Sequence, residues 1–83
     1  MPVVHPSLFT VQKRFPDHKD ALRHKYRTDK SFRSICKNYQ KCLKALTHWR
    51  ESEDENAPER EKEYTVLLHE LELEILKSLN GES

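Results

Sequence analysis

A chain of 83 residues that is 35% hydrophobic and 35% charged has room for one small domain with a single helical seam, which excludes a deep multilayer core. Its lone glycine, Gly81, excludes sheets built on tight hairpin turns and the Gly-rich loops that cradle phosphates. The net charge of +1 conceals a division: residues 1–50 hold twelve Lys or Arg against three Asp, whereas residues 51–83 hold three against eleven acidic residues. A basic half and an acidic half of this kind point to a nucleic-acid partner for the former, or to mutual neutralisation within one chain or between chains.

In chain order, residues 1–14 read as an N-terminal arm. Pro2 and Pro6 keep "MPVVHP" extended, and Ser7 can cap a brief turn over "LFTVQKR", where Leu8, Val11 and Phe15 fall at 3–4 spacing. The domain is expected over 15–80, with a tail at 81–83. Pro16 suits the first position of a helix, and Asp17 and Asp20 follow at the end of the dipole that favours acids. The pattern predicts a short helix over about 16–27 with Leu22 and Tyr26 on one face. Thr28 or Asp29 can cap the next helix, and Asp29 lies four residues before Arg33, a helpful ion-pair spacing.

The strongest pattern covers about 29–52. Phe32, Ile35, Tyr39, Cys42, Leu46 and Trp49 step 3-4-3-4-3, with Cys36 and Leu43 widening the stripe; this is the seam of antiparallel or coiled-coil packing. "ESEDENAP", residues 51–58, is a linker in which Asn56 can cap and Pro58 can open a last helix over about 58–80. Acids crowd its first turns, Lys77 lies near its end, and Asn80-Gly81 forms a stop. So short a linker makes the two helices antiparallel neighbours.

The expected fold is therefore all-α: an antiparallel hairpin of two long helices with a shorter N-terminal helix. Phe32, Ile35, Tyr39, Leu43, Leu46 and Trp49 should bury against Tyr64, Leu67, Leu68, Leu71, Ile75 and Leu79, with Leu22 and Tyr26 closing the open end. Val66, Leu73 and Leu76 fall off that face. Either the N-terminal segment or a second chain should cover them, and self-association through these three residues is expected.

Candidate chemistry is sparse. The five histidines include no i,i+4 pair and no HExxH, and no cysteine pair stands at CxxC spacing. Cys36 and Cys42, six apart on one helix, would have Cα atoms roughly 9 Å apart, beyond the roughly 7 Å a disulfide spans. They read as reduced, half-buried thiols of a cytoplasmic protein. No nucleophile, base and oxyanion donor converge, so no catalytic, cofactor-binding or metal-ligating residue is assigned and no cofactor is expected.

The basic ribbon is the main candidate. Lys30, Arg33, Lys37, Lys41, Lys44 and His48 step 3-4-4-3-4 opposite the apolar seam, with Arg14, Lys19, Arg23, Lys25 and Arg27 adding charge upstream. Such a row can be a solvated face. It can also pair with an acidic protein surface, including another copy's Glu59, Glu63, Glu70 and Glu74 flank, or follow a phosphate backbone. No aromatic residue is interleaved for base stacking. No apolar run approaches the length of a membrane span, and "MPVVHPSLF" is too short and too broken by proline for a secretion signal. The function these features favour is a non-enzymatic protein-interaction module that associates with another protein or a second copy of itself. The alternative is a small nucleic-acid-binding protein using the basic helix face.

Phe15-Pro16, Asp29, Phe32, Ile35, Tyr39 and the run Leu71-Glu72-Leu73-Glu74-Ile75 together give the chain an outline that resembles the YdcH-like family of small bacterial proteins. The resemblance covers roughly residues 15–79. It implies a helical hairpin, no known activity and no catalytic residues. The chain departs from that family's pattern at Cys42-Leu43 and at Glu72-Leu73, and the second departure makes the outer face of the last helix more apolar.

Overall fold

In the computed structural model, which describes residues 5–80, Pro6 opens a nine-residue helix, α1 (Pro6–Arg14). Residues 6–14 of the expected arm are therefore helical. Leu8 and Val11 of α1, and Phe15 just beyond it, are buried, because their 3–4 spacing forms an apolar stripe that fits the floor offered by the long helix below. Ser7 does not cap the helix; it is buried and its hydroxyl shares a 3.2 Å hydrogen bond with that of Tyr26. The extended stretch expected at Pro2, and the tail with its Gly81 stop, lie outside the described residues.

Pro16 disfavours helical backbone at the residue before it, and Phe15 accordingly sits at φ −123°, ψ 69°. The chain turns there through a 3₁₀ segment, Pro16–His18, into α2 (Lys19–Thr28). Asp29, extended at φ −127°, caps α3 (Lys30–Arg50). Its Oδ1 accepts from the backbone N–H groups of Ser31 at 2.9 Å and Phe32 at 3.2 Å. The expected Asp29–Arg33 pair does not form. Asp29 lies 3.7 Å from Lys25 instead, while Arg33 donates to the carbonyl of Tyr26 at 2.9 Å, satisfying the end of α2 where a cation is favoured.

Six residues later the last helix, α4 (Ala57–Leu79), begins with Pro58 in its first turn. Asn56 makes no side-chain cap. The bend is held one step earlier, where Ser52 Oγ accepts from the N–H of Asp54 at 3.1 Å and Asp54 Oδ1 from that of Asn56 at 2.8 Å.

Among the described residues there are four α-helices, one 3₁₀ turn and no strand, so the fold is all-α. The largest interface is between α3 and α4; α1 packs on α3, and α2 touches the other three helices. Val11, Leu22, Phe32, Cys36, Tyr39 and Ile75 are fully closed from solvent.

Of the expected seam, Phe32, Tyr39, Leu46, Leu71 and Ile75 are buried, and Ile35, Leu43, Trp49, Tyr64, Leu68 and Leu79 are half-buried. Leu67 and Leu76 exchange roles: Leu67 is 43% exposed, whereas Leu76 packs against the core. These two lie on opposite sides of α4, since nine residues at about 100° each amount to half a turn beyond two full ones. The N-terminal helices supply the cause. Arg14 of α1 binds Glu72, so α1 lies on the Glu72–Leu76 side and draws the apolar stripe of α4 round toward itself.

Candidate interaction surface

The exposed face of α3 carries Lys30, Lys37, Lys41, Lys44 and His48. Arg33, expected in the same ribbon, is half-buried and tied back to α2, so it leaves the row. Among the described residues none of the four lysines takes part in an ion pair within the chain. The upstream cations are more committed: Arg14 pairs with Glu72 at 2.8 Å, Arg23 with Asp20 at 2.6 Å and Lys25 with Asp29.

On α4, Glu59, Glu63, Glu70 and Glu74 are exposed, with Glu63 bound by Arg60 at 3.2 Å. Of the three residues expected to self-associate, Val66 (55% exposed) and Leu73 (59% exposed) face solvent. Leu76 instead belongs to the margin of the core. Leu67 replaces it at the surface.

Between α3 and α4 runs a groove of roughly 440 Å³ floored by Cys42, Ala45, Tyr64, Leu67 and Leu71, with Lys41 on its α3 rim. It continues along α4 past Glu70, Glu74 and Lys77, so the α3 rim carries Lys41 and the α4 rim is mainly acidic. Sequence reasoning missed this groove because it placed Leu67 inside.

It also missed a polar cluster on the opposite side. The Tyr39 hydroxyl donates to Glu72 Oε2 at 2.9 Å, and Arg14 donates to the same carboxylate through Nε at 2.8 Å and Nη2 at 3.4 Å. One carboxylate thereby joins α1, α3 and α4. The buried phenol has its acceptor, as a polar group closed from water requires, and burial followed by the nearby carboxylate pushes the Tyr39 pKa upward. The sequence signal was weak, since Glu72 is one of two glutamates alternating with apolar residues from Leu71 to Ile75.

Both cysteines are free and buried, Cys36 more deeply than its place at the seam margin suggested. Burial pushes the Cys36 thiol up to about 12 and raises that of Cys42, whose thiol donates to the carbonyl of Tyr64 at 3.3 Å. Neither thiol has the depressed pKa that activates a nucleophile. Among the described residues no three His, Cys, Asp or Glu side chains gather closely enough to hold a metal ion, and no helix is long and apolar enough to cross a membrane. Comparison with protein-family models, curated proteins and solved structures gives no match to this chain.

Proposed function

We propose that this chain is a non-enzymatic interaction module, a helical hairpin of the YdcH-like kind that associates with a second copy of itself or with another protein. One observation carries the proposal. The same small fold exposes an unpaired row of lysines on α3, and on α4 a surface of carboxylates with Val66, Leu67 and Leu73 set among them. Exposed leucine and valine at helical spacing beside charge is the composition of a surface awaiting a partner.

The antiparallel sense of the hairpin is part of this reading. It is supported by Arg50 meeting Glu61 beside the bend while Tyr39 meets Glu72 farther along. Two reduced, buried thiols suit a cytoplasmic setting.

Sedimentation at high micromolar concentration tests the proposal. A species heavier than the 9.9 kDa monomer is expected at low salt, and it should dissociate as salt screens the charges. A monomer at every salt concentration overturns self-association.

A nucleic-acid role is the second reading, favoured by the unpaired lysines alone. Gel retardation separates the two. Retention of RNA or DNA at low salt, weakened by Lys37→Glu with Lys41→Glu irrespective of sequence, would replace the first reading with the second.

A further inference from the structure

The geometry points to a specific way for two copies to meet: face to face through the α3/α4 groove, about a two-fold axis parallel to the helices, forming a four-helix arrangement in which α3 of each copy lies over α4 of the other. This inference rests on the self-associating reading and deepens it by naming the surface and the symmetry.

The apolar floor comes first. Ala45, Leu67 and Leu71 line a groove on the side of α3 and α4 away from the Arg14–Glu72 contact. α1 covers the other side, packing on α3 near Gln40 and Leu43. A layer of two helices covered on one side only leaves its second side to a further layer. Extents of 42 and 32 Å leave room for the roughly 800 Å² per partner of a standard interface.

Charge then selects the symmetry. In a two-fold interface the same patch serves both copies and must complement itself. An axis running across the helices would lay α3 on α3, lysine against lysine. An axis along them lays α3 on α4, lysine against glutamate, and like-charge juxtaposition rejects the first arrangement.

The register follows from contacts within one chain. Tyr39 is level with Glu72. Two residues onward along α3 and two back along α4 bring Lys41 level with Glu70, and two the other way bring Lys37 level with Glu74. An axis along the helices preserves these levels, so Lys41 of one copy faces Glu70 of the next and Lys37 faces Glu74. All four residues are exposed, and among the described residues none is in an ion pair.

The test is sedimentation equilibrium of the full chain and five variants, with circular dichroism confirming that each is folded. Lys41→Glu and Glu70→Lys should each weaken dimerisation at least about tenfold. The two changes together in one chain should restore it, since the pairs re-form across the two-fold with signs exchanged. Leu67→Glu should abolish dimers, and Phe9→Glu, at an exposed position on α1, should leave them intact. Three results overturn the groove while leaving self-association standing: dimers that survive Leu67→Glu, dimers lost with Phe9→Glu, or a double charge reversal no better than the singles. A wild-type chain that stays monomeric overturns both.

Discussion

Glu72 and Cys36 show how differently two side chains can be closed off in a core this small. Glu72 sits at the margin of the core with Arg14 and Tyr39 both donating to it; removing its carboxylate would leave the buried Tyr39 hydroxyl without its acceptor, at a cost of about 1–3 kcal/mol. Cys36 has no such partner and is held as a neutral thiol. Its ordinary value of 9.0 is pushed up to about 12 by burial. Between those values the unfolded chain has released a proton that the folded chain retains, so unfolding binds fewer protons and stability falls as pH rises. Tyr39, also raised by burial, adds in the same direction above its ordinary value of 10.0. Stability is thus expected to hold below about pH 9 and to decline above it, and Cys36→Ala should flatten the onset of that decline in urea titrations. Alkylation of Cys36 at neutral pH should require unfolding, which mass spectrometry of the labelled chain in increasing urea would follow.

At the scale of the elements, the caps separate residues that sequence spacing treats alike. Asp29 and Asn56 both precede a helix, yet only Asp29 accepts from the first free N–H groups. Asp29→Ala should lower stability by about 1 kcal/mol, and Asn56→Ala should change it by less than about 0.5 kcal/mol; chemical denaturation of the pair checks both. The two long helices were legible in the sequence because the 3-4 steps from Phe32 to Trp49 and the charges and proline of the last helix agree. The first helix was only half legible. Leu8, Val11 and Phe15 were seen at helical spacing, but the prolines around them suggested an extended arm, and nothing local reveals that α3 offers a floor to receive them. Leu67 and Leu76 were exchanged for the same reason: the face that a helix buries depends on every neighbour, and the N-terminal segment, though one of two candidates to cover Leu76, was not placed as a helix. Arg33 left the lysine row because a carbonyl at the end of α2 was in reach, a contact that depends on the turn at Asp29.

Across the whole molecule the division of charge survives folding. Arg14–Glu72 and Arg50–Glu61 link the basic and acidic halves, but such partly exposed pairs contribute little each, and the lysine row of α3 remains outside them. Added salt is therefore expected to act more on the proposed association than on the melting temperature of the monomer, a contrast that thermal scans beside sedimentation would show. The bend gives the molecule a different property. Residues 51–56 lie outside the helices, are exposed apart from a half-buried Ser52, and are braced by the short side chains of Ser52 and Asp54 and by a few backbone hydrogen bonds to the adjoining helix ends. A glutamate-specific protease should cut first at Glu51, Glu53 or Glu55 and release nothing, since Arg14, Tyr39 and Cys42 on one fragment still grip Glu72 and the Tyr64 carbonyl on the other. Encoded as two separate polypeptides, the halves should reunite on mixing, which makes this short acidic hinge a natural place to split the protein for a complementation reporter.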